Sequence, residues 1–83
     1  MLDDGVWAEV KVGGEHLRLF SENSAQGIQA SVYNAATRTW IVPSEPVDDI
    51  EDGKAKAEEY ARAYLKAARL ELPSLVWKDA RSR

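Results

Sequence analysis

Small aliphatic residues recur at every second position over residues 6–12 (VWAEVKV). Val6, Ala8, Val10 and Val12 fall on one side, and Trp7, Glu9 and Lys11 on the other. A period of two predicts a strand with one buried face. Gly13 and Gly14 follow, and paired glycines supply the positive φ angles of a two-residue hairpin turn. With these two as the loop, Val12 stands opposite Glu15 and the register follows by counting outward. Val10 meets Leu17 and Ala8 meets Leu19 on the inner face. On the outer face Lys11 meets His16, Glu9 meets Arg18 and Trp7 meets Phe20. One register thus matches apolar with apolar, acid with base and ring with ring, each pair contributing roughly 0.2–1 kcal/mol.

Residues 21–27 (SENSAQG) form a polar loop rich in turn residues. Alternation resumes in IQASVYN, with Ile28, Ala30 and Val32 inward and Gln29, Ser31 and Tyr33 outward, and TWIV supplies a fourth strand. A three-residue loop, Ala35 to Thr37, would set Trp40 opposite Val32 and Val42 opposite Ala30. Both then enter the core, where Trp40 adds bulk to a set of Val and Ala. A four-residue loop would turn Trp40 outward beside Tyr33 and bury Ile41 instead; the first register is the expected one. Pro43 and Pro46 end the strand. A helix is predicted over about 49–72, with Asp48 as N-cap and Glu51 three residues on in the manner of a capping box, a start at Asp49 being the alternative. Ile50, Ala57, Ala61, Tyr64, Leu65, Ala68 and Leu72 form its apolar stripe. Gly53, Ala57 and Ala61 are small enough to bring its first half close to the sheet, and Pro73 stops it. Residues 75–77 are either a short fifth strand or part of a tail over 73–83 that covers a core edge. The expectation is one small α+β domain spanning 1–83, a four-stranded antiparallel meander (sheet 6–42) with one C-terminal helix on one face, ββββα in order.

An 83-residue chain buries only about 60% or a little more of its extended surface, which leaves it marginally stable, and such chains gain from disulfides, metals or association. There is no cysteine and only one histidine, so disulfides, thiolate metal sites and two-histidine sites are excluded. Association is the remaining way to add burial. No apolar run approaches the roughly 20 residues of a membrane span. The start, MLDDGVW, lacks the basic region and apolar block of a signal peptide, so a cytoplasmic location is expected, without a membrane partner. Charge is uneven: residues 1–44 carry −2, residues 45–59 carry −5 and residues 60–83 carry +4.

The chemistry of catalysis is poorly represented. Nucleophilic catalysis needs a nucleophile beside a base, and His16 faces Lys11 with no serine on the adjoining outer positions, the setting of an exposed strand histidine. The carboxylate pairs Asp48/Asp49 and Glu58/Glu59 lack the spacing of a calcium loop, and acids in a first helical turn complement the helix dipole. Gly13-Gly14 joins strand to strand and cannot cradle a phosphate at a helix N-terminus. A protein without enzymatic activity, cofactor or metal is expected.

Two surfaces remain. The sheet's outer face carries Trp7, Phe20 and Tyr33 with Lys11, His16, Arg18 and Arg38, opposed by Glu9 and Glu15. Its ordinary explanation is an aromatic pair shielded by Arg and Lys stems or by Trp77 folding back. Its functional explanation is a protein interface or homodimer contact, since aromatics with arginine mark the centres of such surfaces. The second surface is the acidic helix start, Asp48, Asp49, Glu51 and Asp52, which could imitate phosphates in the manner of small inhibitors from phages and mobile elements. The order of four strands and a helix resembles that of the Whirly and related single-strand-binding transcription cofactors, in element order alone. That resemblance implies a single-stranded nucleic-acid platform, with bases on the aromatics and cations along the backbone. A net charge of −3 weighs against it. The tryptophan strand followed by an AEEYA helix (Ala57–Ala61) also resembles short bacterial and phage reading frames, and this brings no activity with it.

Overall fold

The computed structural model describes residues 5–79. Strands β1 (Gly5–Val12), β2 (Glu15–Ser24), β3 (Gly27–Asn34) and β4 (Thr39–Pro46) are followed by helix α1 (Ile50–Ala67) and a short strand β5 (Lys78–Asp79). All strand pairs are antiparallel, in the order β4-β3-β2-β1-β5, so the architecture is the expected α+β meander with a fifth strand at one edge. The fifth strand lies one step beyond the expected 75–77 and pairs Val6 with Asp79 and Trp7 with Lys78.

The first hairpin has the register obtained by counting from its turn, from Val12↔Glu15 through Trp7↔Phe20. Gly13 and Gly14 both have positive φ, 56° and 85°, as a type I′ turn requires. The polar stretch after Phe20 departs from expectation. β2 runs on to Ser24 and β3 begins at Gly27, so most of SENSAQG is paired strand, and Gly27, at φ 107°, takes the turn conformation.

The second hairpin differs from the expected register. Its loop is the four residues 35–38, so Tyr33 pairs with Trp40 and Asn34 with Thr39. Two local features select it. The Asn34 Oδ1 accepts a hydrogen bond from the Ala36 backbone N–H at 3.0 Å, an Asx turn, and Arg38 adopts a left-handed φ of 57° that closes the loop. Register shifts then return Val42 to a position opposite Val32, so Ile41 and Val42 both pack against the core while Trp40 points outward. A bulge thus buries two aliphatics where strict alternation would bury one residue and expel the next.

α1 crosses the inner face over β2 and β3, and its Gly53, Ala57, Ala61 and Leu65 are buried against Leu17, Leu19, Ala30 and Val32. The N-cap is Asp49 rather than Asp48: its side chain accepts from the Asp52 N–H at 2.7 Å, and Asp52 in turn accepts from the Asp48 N–H at 3.2 Å. The helix ends at Ala67, before Pro73 is reached. Arg69 turns left-handed (φ 61°) and the Leu70 N–H bonds back to the Leu65 carbonyl at 2.8 Å, a Schellman-type stop built without glycine. Ala68 is therefore an exposed cap residue, not part of the buried stripe, whereas Leu72 packs on the core from the segment beyond the helix.

The helix sits close to the sheet at one point. The buried Ser21 Oγ donates to the Ile50 carbonyl at 2.8 Å, and a Cβ added at Gly53 would lie 2.0 Å from that oxygen. Gly→Ala in a helix ordinarily gains up to about 1 kcal/mol. Here Gly53→Ala is expected to destabilise by about 1–3 kcal/mol through overpacking. Urea denaturation measures this, and adding Ser21→Ala should recover part of the loss by removing the colliding oxygen.

Candidate functional site

The β-pleat sends Trp7, Glu9, Lys11, His16, Arg18, Phe20 and Tyr33 to the sheet face opposite α1, and the corrected register adds Trp40. One row across the sheet reads Glu9, Arg18, Tyr33, Trp40; the adjoining row reads Lys78, Trp7, Phe20, Ser31. Trp40 lies between the rows, its ring 4.7 Å from that of Tyr33 and 6.3 Å from that of Phe20, both tilted. Contacts of this kind contribute about 0.5–1.5 kcal/mol beyond their buried area. Trp40 nonetheless remains 50% exposed, whereas Trp7, Phe20 and Tyr33 are half-buried. Aromatic residues thus supply the middle of a face on which no helix lies.

Two expected shields behave differently. Lysine does cover Trp7: the Lys78 Nζ stands 5.3 Å from the ring centroid, a cation–π contact donated by β5. Trp77 does not fold back over the face. It lies on the helix side, where its indole N–H points to Glu58 at 3.4 Å and Lys54 stands 5.7 Å from its ring. The Trp7 Nε1 is itself buried and has no hydrogen-bond partner among the described residues.

The charged corner is organised by Glu9. Its Oε2 accepts from the His16 Nε2 at 2.5 Å and from the Arg18 Nε at 3.3 Å. His16 is therefore a half-buried, bonded histidine rather than an exposed one. The hydrogen bond from His16 holds the Glu9 carboxyl below its ordinary pKa; partial burial opposes this, and the Arg18 bond and both charges reinforce it. Lys11 is exposed on the same corner. Arg38 is exposed in the β3–β4 loop rather than on a strand, at the same end of the sheet, where the Ala35 N–H bonds to the His16 carbonyl. Glu15 is on the opposite side: its Oε1 accepts from the Asn34 Nδ2 at 2.8 Å and the Tyr64 hydroxyl at 3.1 Å, a tie between hairpins and helix.

The acidic helix start is partly consumed by structure. Asp49 and Asp52 form the cap, Glu51 approaches Lys54 at 3.4 Å, and Asp48 is exposed with its N–H on Asp52. These residues belong to the helix side of the sheet, away from the aromatic face. Among the described residues no three or more His, Cys, Asp or Glu side chains are grouped so as to hold a metal ion, and no helix is long and apolar enough to cross a membrane. No known protein family, curated protein or solved structure matches the chain, so the site is read from its own geometry.

The favoured three-residue loop kept Trp40 off this face, and the alternative four-residue loop, which turns it outward beside Tyr33, is the one found. The signal that could have found it was Asn34, which closes a four-residue loop through its side chain.

The lowered pKa of Glu9 has a defined pH signature. A carboxyl more acidic in the folded state contributes stability that is present above its unfolded pKa and lost as pH falls through its folded one. The stability difference between wild type and Glu9→Gln is therefore expected to be largest near neutral pH and to shrink with acidification through the carboxylate range. Denaturant midpoints at several pH values measure it; a constant difference would show that the Glu9 charge is unimportant.

Proposed function

We propose that the protein is a non-catalytic binding module that works through its outer sheet face, with a protein surface, a second copy of the chain included, as its partner. The observation that carries this reading is the half-exposed Trp40 set between Tyr33 and Phe20 on a face no helix covers. Trp, Tyr and Arg are the residue types that concentrate binding energy at interface centres, and Arg18 stands opposite Tyr33 in the same row. Glu9 already accepts hydrogen bonds from Arg18 and His16 and offsets part of the Arg18 charge, which lowers the cost of removing that corner from water. The sheet edges favour use of the face. β4 carries Pro43, Pro46 and register shifts, and β5 is a two-residue charged strand, both devices that discourage strand addition. A small acidic inhibitor of phage or mobile-element type is the biological role that size and charge suit, in a cytoplasmic setting.

Trp40→Ala tests the reading, because half of this side chain is already in water and the fold should tolerate its loss. Loss of self-association in light scattering, or of a protein captured by the wild type, with an unchanged circular dichroism spectrum is the expected result. A loss of about 30-fold or more in affinity corresponds to the 2 kcal/mol or so of an interface hot spot. Unchanged association with the fold intact would remove this face from consideration.

A second reading, a platform for single-stranded nucleic acid, draws support from where the charges lie. Lys11, Arg18, Lys78 and the loop residue Arg38 accompany the aromatics, while Asp48, Asp49, Glu51 and Asp52 belong to the helix side. Net charge therefore understates the basic character of the aromatic face. Titration with a mixed-sequence single-stranded oligonucleotide, followed by tryptophan fluorescence, separates the readings. Quenching that weakens steeply with salt supports nucleic acid; no change at low salt leaves the protein interface.

A further inference from the structure

The stop that ends α1 also builds a concavity that the outer face does not explain. Arg69 turns left-handed and the Leu70 N–H returns to the Leu65 carbonyl, so Leu70, Glu71 and Leu72 come back beside the last turns of the helix. The resulting open groove has a volume of about 400 Å³ and is lined by Arg62, Lys66, Leu70, Glu71 and Leu72. That is within the range of small-ligand sites, roughly 300–1,000 Å³.

Its walls differ in chemistry. Arg62 and Lys66 are one helical turn apart and form a cationic wall, and the half-buried Leu70 and Leu72 supply an apolar one. Arg62 is held only loosely, with its Nη2 3.8 Å from Glu58, and Lys66 makes no ion pair among the described residues. The helix dipole accounts for a base in the last turn. It does not account for two bases facing a leucine-lined wall. Repulsion of an anion by the helix end is reduced here, because the N–H groups of Ala68, Arg69 and Leu70 occupy the Leu65 and Lys66 carbonyls.

We propose that this groove binds the C-terminal end of a polypeptide whose last residue is large and apolar. The terminal carboxylate sits between Arg62 and Lys66, and the terminal side chain lies on Leu70 and Leu72. Charge complementarity selects a carboxylate, for which arginine offers paired donors. Two features select a peptide over a free fatty acid. The groove is open, so a long alkyl tail would stay in water, and Glu71 on the rim offers an acceptor to a peptide N–H but only repulsion to a ligand without donors.

The test uses the full chain and a fluorescein-labelled hexapeptide ending in leucine, as the free acid and as the C-terminal amide, read by fluorescence anisotropy at low salt. The acid is expected to bind at least 10-fold more tightly than the amide. The double variant Arg62→Gln, Lys66→Gln, both exposed and outside the core, should abolish that preference, while Trp40→Ala should leave it unchanged. Equal binding of acid and amide, a preference that survives in the double variant, or no binding at millimolar peptide would overturn the proposal. Decanoate competing as well as the peptide acid would also overturn it, in favour of a small-molecule carboxylate site.

Discussion

Everything on the helix side depends on a contact in which one partner has no side chain. Gly53 lets α1 approach β2 until the Ser21 hydroxyl reaches the Ile50 carbonyl, and any Cβ there would collide with it. The contact fixes the height of the helix N-terminus, and the small Ala57 and Ala61 continue it along the helix until Leu65 fills the wider end. A helix this close covers β2 and β3 and barely reaches β1. Segment 70–77 completes the helix side, with Leu70, Leu72, Leu75 and Trp77 packed against the core and Leu70 lying over the Gly13 turn. One helix and one returning segment are thus consumed on a single face of the sheet, and among the described residues no helix lies on the other face.

How much of this is legible in the sequence depends on whether a local rule sets each register. The first hairpin is fully legible, because a two-residue glycine turn admits one pairing and both faces agree with it. The second hairpin is not. Core volume argued for an inward Trp40, and that argument assumed unbroken alternation from the loop onward. The chain instead satisfies the loop first, through Asn34 and a left-handed Arg38, and repairs the core with a bulge that buries both Ile41 and Val42. Loop closure and core filling are separate demands, and a bulge uncouples them. The helix end was illegible for a related reason. Arg69 occupies a conformation usually assigned to glycine, so no glycine announces the stop, and the periodic Ala68 and Leu72 carry the apolar pattern beyond the true end. The same extension hid the groove, since Leu72 read as helix cannot face Arg62 across a gap.

Charge tells the same story at the level of surfaces. A net of −3 describes the chain and neither of its faces. The strongly acidic stretch 45–59 supplies the helix cap, the Glu45 carboxylate that raises the Tyr60 pKa, and the Glu58 that receives Trp77. All of these act on the helix side. Electrostatic screening over about 10 Å at ordinary salt means that a ligand on the far side of the sheet feels mainly the local set. That set pairs Glu9 with His16 and Arg18 and leaves Lys11 exposed nearby. An acidic protein can therefore present an aromatic face with a basic corner. The two surfaces singled out by sequence, aromatic and acidic, differ in kind: the acids are partly occupied in building the helix, and Trp40, packed on Tyr33 and Phe20, still keeps half of its surface exposed.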